Sequence, residues 1–369
     1  MSKIKEKTIV AREKVVESAR NKVAKLPGRR KKNEPPLRIT NDTVAEHREK
    51  ILAGGRKFKY PLQQQKHKIL INAIIVAIVA SVIFVVWVWV MLYRVQATSD
   101  FFYGVTKIVP LPVASVDGQK VRYSDYLRRI RADIFYYENQ EGKSFKTTDG
   151  RRELEYNKRR ELTAAQRTAY AYKIARLRNI SLPTDKEVSE KINATMKSDG
   201  SDEAAVIRML RAYYNWTMDE YRQTIRDQLL EQKVSFAIDS SAKNKVSKIQ
   251  DRLKNGEDFA TVAKETSDDP MAKETGGAVV AQSGDLDSNG LIAAARNLSE
   301  GEISQPIEGR NDSGDYSYFI VKLDSKTDTE TRYSVIMINL TQFDKEFSNL
   351  QKEGSIREFI KVPAAEAAA

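Results

Sequence analysis

Residues 69–93 read ILINAIIVAIVASVIFVVWVWVMLY, an uncharged run of 25 residues that divides the chain into two unlike parts. As a helix it would be roughly 37 Å long, enough to cross a bilayer with some tilt. Trp87, Trp89 and Tyr93 gather at its C-terminal end, where amphipathic rings settle at lipid headgroups, and Lys66 and Lys68 bound the other end. The apolar run is far longer than the core of a cleaved signal peptide, about 7–15 residues, so an uncleaved anchor is expected. The weak cleavage-like Val95-Gln96-Ala97 is the rival reading.

The net charge of +12 is unevenly spread: residues 1–68 hold 20 Lys and Arg against 7 Asp and Glu, and the remainder is nearly neutral. The positive-inside rule therefore puts residues 1–68 in the cytoplasm and the chain beyond Arg94 outside it, a single-pass arrangement in the cell membrane. Leu26-Pro27-Gly28-Arg29-Arg30-Lys31-Lys32, followed by Pro35 and Pro36, is expected to be a flexible basic linker. Its cations could meet anionic lipid or ribosomal RNA. A solvated topology determinant is the simpler expectation, because no aromatic-interleaved or nucleic-acid motif accompanies the charge and no specific nucleic-acid partner is implied. The chain has no cysteine, which excludes disulfides, thiolate nucleophiles, Cys-based zinc sites and a lipidated cysteine anchor.

Beyond the span, residues 94–110 are expected to be a linker. Val113-Ala114-Ser115-Val116-Asp117-Gly118-Gln119-Lys120-Val121 predicts two short strands around an Asp-Gly turn, with a helix from Tyr123. The longest helix is expected over about 153–178. Thr184-Asp185-Lys186-Glu187 and Thr217-Met218-Asp219-Glu220 are capping boxes, and Trp216 and Tyr221 hold the positions of a hydrophobic staple at the second. Val188, Ile192 and Met196 recur at helical spacing and are expected to be core. The charged residues here lack metal-ligand spacing, so no metal and no cofactor are expected. The order of "Val-Ala-Ser-Val-Asp-Gly, then helix", the long helix ending near Asn179-Ile180-Ser181-Leu182-Pro183-Thr184, and Trp216-Thr217-Met218-Asp219-Glu220-Tyr221 resembles the N-terminal chaperone domain of the SurA family over roughly 111–235. That resemblance implies a helical cradle for unfolded, apolar-rich client segments.

The next stretch has another rhythm. Val246, Ile249 and Leu253 share a helical face that stops at Gly256, and Glu257-Asp258-Phe259-Ala260-Thr261-Val262-Ala263-Lys264 begins a second helix. Then come Ser267-Asp268-Asp269-Pro270, Gly276-Gly277, Leu298-Ser299-Glu300-Gly301-Glu302-Ile303-Ser304-Gln305-Pro306-Ile307, and a strand over 316–323. In this order the phrases are similar to those of the parvulin family of peptidyl-prolyl cis-trans isomerases, the PpiC-type rotamases. Together the two resemblances suggest an α+β chain of the SurA/PrsA type: a transmembrane helix, a mostly helical chaperone domain and a parvulin-like module.

Prolyl isomerisation needs neither nucleophile nor metal; it lowers a barrier of about 18–20 kcal/mol by seating proline in an apolar pocket and favouring the twisted amide. The parvulin resemblance implies two buried histidines, an acidic or thiol residue and a proline pocket. Asp269 falls on the acidic position, Phe319 where the second histidine stands, and Leu291 on the pocket aromatic. The opening strand, expected near Val234-Ser235-Phe236-Ala237-Ile238, has no histidine; His47 and His67 are the two in the chain. Residues 278–290 interrupt the usual double-glycine loop. Either the module is a degenerate parvulin kept for binding, the favoured reading, or Tyr316, Tyr318 and Asp269 support slow isomerisation. Asp269 is equally explained as a turn aspartate before Pro270.

Residues 332–340 predict a strand and Phe343, Phe347 and Leu350 a helix. The strand near 333–340 is expected to pair with the hairpin near 113–122; the alternative is that it completes the parvulin-like sheet in place of the opening strand. The expected layout is a basic segment at 1–68, the span at 69–93, the linker at 94–110, the SurA-N-like domain at 111–235, the parvulin-like domain at 236–330, a returning strand and helix at 331–362, and a tail at 363–369. Three functions fit: an anchored extracytoplasmic folding factor with a weak or inactive isomerase module, an active isomerase with a non-standard site, or a non-catalytic envelope scaffold.

Overall fold

The computed structural model describes residues 40–59 and 61–363. Most of the basic N-terminal segment, including the expected linker at 26–36, and the tail beyond Pro363 lie outside the described residues. The chain forms two units that divide after Ser81.

The first unit holds helix α1 (Asn41–Lys59) and the start of α2 (Pro61–Val90). Among the described residues, this second helix with its continuation is the one long and apolar enough to cross a membrane, with a mean hydropathy of 3.1 and its apolar window unburied. Hydrophobic side chains cover it on all sides, as in a helix solvated by lipid.

The second unit starts at Val82. Helix α2 ends in a π turn, Met91–Val95, closed by Gln96 in the left-handed conformation. The stretch expected to be a linker is instead ordered: α3 (Asp100–Ile108) turns Phe102, Tyr103 and Thr106 inward. Strands β1 (Pro112–Val116) and β2 (Gln119–Arg122) form the expected hairpin, with Asp117 and Gly118 both at positive φ as a tight turn of right-handed twist requires. Helices α4 (Tyr123–Asn139) and α5 (Thr148–Leu177) follow, then α6 (Asp185–Ser198), α7 (Glu203–Tyr214) and α8 (Met218–Ile238). Both capping boxes form, Thr184 with Glu187 and Thr217 with Glu220. The staple rings have separate neighbours: Trp216 packs on Tyr214 and donates to the Arg128 carbonyl, while Tyr221 packs against Val188, Ile192 and Ile225.

One core joins Val113, Val116, Tyr123, Leu127, Ile130, Leu162, Ile174, Leu230 and Val234. Beside it, Arg128 donates to Asp227 at 2.5 Å and to Thr224 Oγ1 at 2.7 Å, with Arg128 and Asp227 only 3% and 2% exposed. This pair fixes α4 on α8 at the centre of a small network, in which Arg129 also reaches Asp227 at 3.5 Å and Asp125 lies 4.0 Å from Arg128.

The chain then makes a second module: α9 (Ser240–Lys254), α10 (Phe259–Thr266), α11 (Pro270–Thr275), β3 (Ala278–Gln282), α12 (Leu291–Arg296), β4 (Ile307–Arg310), β5 (Tyr316–Lys326) and β6 (Glu330–Asn339). Its antiparallel sheet has the order β3-β6-β5-β4. The last strand thus takes an inner place, and 234–238, where an opening strand was expected, is the end of α8. The strand near 333–340 therefore completes this sheet and does not pair with the hairpin. Its residues are apolar on both faces, which suits an inner strand covered on both sides.

The return to the first core is made later. Helix α13 (Gln342–Lys352) brings Phe343 and Phe347 onto Tyr170, with ring centroids 5.4 and 6.1 Å apart, and β7 (Ile356–Glu358) pairs antiparallel with β1. The sheet module is thus inserted into the helical domain. Asp239, 2% exposed, sits where the two crossings meet. Its Oδ1 accepts from Ala242 N at 2.9 Å and its Oδ2 from Thr341 N and Gln342 N at 2.7 and 3.0 Å. One carboxylate therefore holds the chain where it leaves and where it returns.

Candidate functional site

The two-residue period of β5 sends alternate side chains to opposite faces of the sheet. Phe319, Val321 and Leu323 face Ala281, Ala295, Tyr333 and Val335, with Leu291, Ile307 and Met337 packed around them. Tyr316, Tyr318 and Ile320 face the other way, onto Phe236, Val246, Ile249, Phe259 and Val262. The structure thus brings Leu291 and Phe319 together and separates both from Tyr316 and Tyr318.

The two tyrosines are struts behind the sheet. Tyr316 donates to the Gln228 carbonyl at 3.0 Å and accepts from Arg310 at 2.5 Å, and that guanidinium lies 4.2 Å from its ring centre. Burial pushes its hydroxyl above the ordinary range, with Glu231 adding to the effect. Tyr318 packs edge-on to Phe236 at 4.8 Å, and burial followed by the Glu308 charge pushes it up to about 12. Both stay neutral donors across the physiological range and face away from Leu291.

Asp269 caps α11. Its Oδ1 accepts from Met271 N at 3.0 Å, and Pro270 takes the first helical position, where a missing N–H leaves nothing unsatisfied. The preceding residues clamp this loop to β6: Asp268 N donates to the Met337 carbonyl at 2.7 Å, Asp268 Oδ2 accepts from Asn339 N at 2.9 Å, and Ser267 Oγ accepts from Met337 N at 3.1 Å. Asp269 consequently stands at the margin of β6 near Met337, whose strand partner is Phe319. The double glycine follows from the same packing. Gly277 is at φ +84°, and a Cβ there would lie 2.3 Å from the Val335 carbonyl oxygen.

The space around Phe319 is filled. A Cβ on Gly309 would come within 2.6 Å of Asn289 Oδ1 and 2.9 Å of the Phe319 ring, so the loop before α12 and the β4 backbone close directly over that ring. Asn289 holds the cover in place, donating to the Arg310 carbonyl at 2.7 Å and accepting from Arg310 N at 3.0 Å. Asp287 accepts from Ile292 N and Ala293 N and so fixes the start of α12. Asn289 and Gly309 are missing from the sequence-derived candidates; they lie in and opposite the stretch that interrupts the double-glycine loop, which was the available signal.

Polar groups border this face, with Asp285 and Asp287 near Tyr333 and Arg296 donating to Thr331. Tyr333 is the titratable residue in the Phe319 cluster, and burial pushes its hydroxyl upward. Among the described residues, the side chains packed directly on Phe319 form apolar surface and include no pair of donors for a twisted amide. Among the described residues there is no group of three or more His, Cys, Asp or Glu that could hold a metal.

Open clefts lie on the outer side of the cover over Phe319, along Asn289 and Gly309, and on the helical domain. One of about 540 Å³ runs between Ile225, Gln228, Leu229 and Gln232 on α8 and Asn289 and Arg310 of the sheet module. Another, about 410 Å³, is bounded by Lys120, Arg122, Tyr172, Arg176, Ile180 and Leu182 on the helical domain.

Comparison with known proteins matches residues 61–235 to the SurA-like N-terminal domain and 224–325 to the PPIC-type PPIASE domain. The chain is 29% identical over 181 residues to the foldase protein PrsA of Streptococcus gordonii, covering 41% of this chain and 56% of that one. It is 30% identical over 105 residues to foldase protein PrsA 4 of Bacillus cereus, covering 28% and 32%, and 27% identical over 243 residues to PrsA of Caldanaerobacter subterraneus, covering 58% and 74%. It thus spans about half or less of the length of the first two relatives. A crystal structure of the peptidylprolyl isomerase PrsA from Bacillus anthracis aligns at 17% identity with a TM-score of 0.18, over 50% of this chain and 85% of that one.

Proposed function

The chain belongs with the SurA/PrsA-type proteins, which join a SurA-like N-terminal domain to a parvulin-like PPIC-type domain, and from that premise we propose that it is a membrane-anchored, extracytoplasmic folding factor. Its helical domain holds unfolded client segments, and its parvulin-like module serves binding and spacing with little or no isomerase activity. The observation that carries the non-catalytic part is the closed cover over Phe319: where a proline ring would need an empty apolar seat, the Phe319 ring, Gly309 and Asn289 already fill the space. Phe319 itself replaces a residue that would tune a hydrogen-bond network.

The anchor reading rests on the length and hydropathy of the span, and the outward placement of residues beyond Arg94 on the basic excess before it. The two clefts supply concave surface of mixed polarity, suited to extended polypeptide with apolar side chains. Clients are therefore secreted or envelope polypeptides before they fold. The basic segment serves as a solvated topology determinant, and contact with anionic lipid would be a second use of the same cations.

The test is suppression of aggregation of a chemically unfolded client by the full chain in lipid nanodiscs, with protease accessibility of residues beyond Arg94 in oriented vesicles. Suppression at near-stoichiometric ratios with those residues exposed outside supports the reading. Unchanged aggregation would move the protein to the scaffold class.

A further inference from the structure

The join between the membrane helix and the folded domain is unusually well tied, and its outer surface is apolar. Leu92 is fully buried and Val88 nearly so, both within the core of the helical domain. The Tyr123 hydroxyl donates to the Leu92 carbonyl at 2.5 Å, and the Tyr93 hydroxyl to the Pro112 carbonyl at 2.7 Å. Gln96 donates to the Lys361 carbonyl at 2.8 Å and accepts from Lys158 at 3.1 Å. The last turns of the helix are therefore built into the domain, with no free tether between them.

Helix α3 lies against those same turns. Phe101 stands 6.1 Å from Trp87 and 6.4 Å from Phe84, and Phe102 stands 5.3 Å from Trp87. While Phe102, Tyr103 and Thr106 face the core, Phe101 and Ile108, seven residues apart and so on one helical face, point outward. Phe101 is 50% exposed, Ile108 85% and the adjoining Val109 46%; Phe84 and Trp87, exposed 50% and 45% and in ring contact with Phe101, continue the patch along the membrane helix. Exposed Lys107 adjoins Ile108 at one end, and at the other Asp100, next to Phe101, is paired with Arg131. Aromatic and aliphatic side chains beside cations, continuous with the surface of a membrane-spanning helix, match the boundary between acyl chains and phosphate headgroups.

We propose that α3 is an interfacial helix: Phe101, Ile108 and Val109 sit in the headgroup boundary of the outer leaflet and hold the folded domain at a fixed height and tilt on the bilayer. This rests on the anchor reading and adds a second lipid contact to it. A domain so held presents its clefts at a set distance from the membrane surface, where a tethered domain would sample many.

The absence of cysteine allows a clean test on the full chain. Single variants Val79→Cys, Ile108→Cys and Leu286→Cys, all at exposed positions, are labelled with an environment-sensitive fluorophore and reconstituted in phosphatidylcholine and phosphatidylglycerol vesicles. Acyl-chain bromines should quench the label at 79 and, when placed near the headgroup, the label at 108. Aqueous iodide should quench the label at 108 several-fold less than that at 286. Quenching at 79 by lipid with iodide access at 108 equal to that at 286 would overturn the interfacial helix and leave the anchor standing. Loss of lipid quenching at both 79 and 108 would overturn the anchor and the inference with it.

Discussion

Replacing Asp239 by alanine should cost about 3–5 kcal/mol of stability, a large share of what a domain of ordinary stability possesses. The carboxylate accepts three backbone N–H bonds of 2.7–3.0 Å and is nearly sealed from water. Hydrogen bonds to a charged group are worth about 1.5–3 kcal/mol each, and a donor left unsatisfied in the interior costs about 1–3 kcal/mol. Ala242 is buried and would keep its amide unpaired, whereas Thr341 is exposed and Gln342 half-buried, so their amides can recover part of the loss from water. Asp239→Asn should recover only part, because its single amide oxygen cannot serve both the start of α9 and the start of α13. The assay is urea unfolding of the full chain in mild detergent, followed by circular dichroism, with hydrogen exchange at Thr341 and Gln342 as the local readout. A loss below about 1 kcal/mol with unchanged exchange at both amides would refute the role of this carboxylate in joining the modules.

Asp269→Ala should lower stability by about 1 kcal/mol through loss of the α11 cap and leave client holding unchanged; a fall in holding without unfolding would give Asp269 a functional role. Phe319→Ala should cost about 3–5 kcal/mol as a core truncation, and Phe319→His should bring no isomerase activity; a gain would show that the seat opens to substrate. Asp133 gives the expected pH dependence. Burial, helped by the neighbouring Glu161 charge, raises its carboxyl to about 7, against Arg160. The folded state binds this proton more tightly than the unfolded state, whose value is about 3.9, so the stabilisation is complete below about pH 4 and is lost as pH rises through about 7. Wild-type melting temperature should therefore fall relative to Asp133→Asn over that range, and parallel curves would contradict it.

Local features were legible in the sequence because their physics is local. The apolar run 69–93, both capping boxes, the Asp117-Gly118 turn and the Gly256 stop appear where composition and spacing put them. The inner place of β6 is not legible, since an apolar strand states only that both its faces are covered and not which sheet covers them. The separation of Tyr316 and Tyr318 from Phe319 was legible in the two-residue period, but membership of one short segment concealed it. Helix α3 was concealed by its length, nine residues directly after the apolar span, although its apolar side chains are well segregated, and its order comes from Phe102 packing on Trp87 and Arg131 lying over Tyr103. Likewise the cover over Phe319 depends on Asn289 meeting Arg310 across a turn, a tertiary contact between residues 21 apart.

The parvulin-like module is expected to bind and space without turning over proline bonds. This is tested most directly by the rate of cis-to-trans conversion of a proline peptide with the full chain in nanodiscs. The uncatalysed rate is expected at every protein concentration, in preparations that still suppress client aggregation. A rate rising linearly with protein and lost in Asp269→Ala would contradict it and make this chain an isomerase.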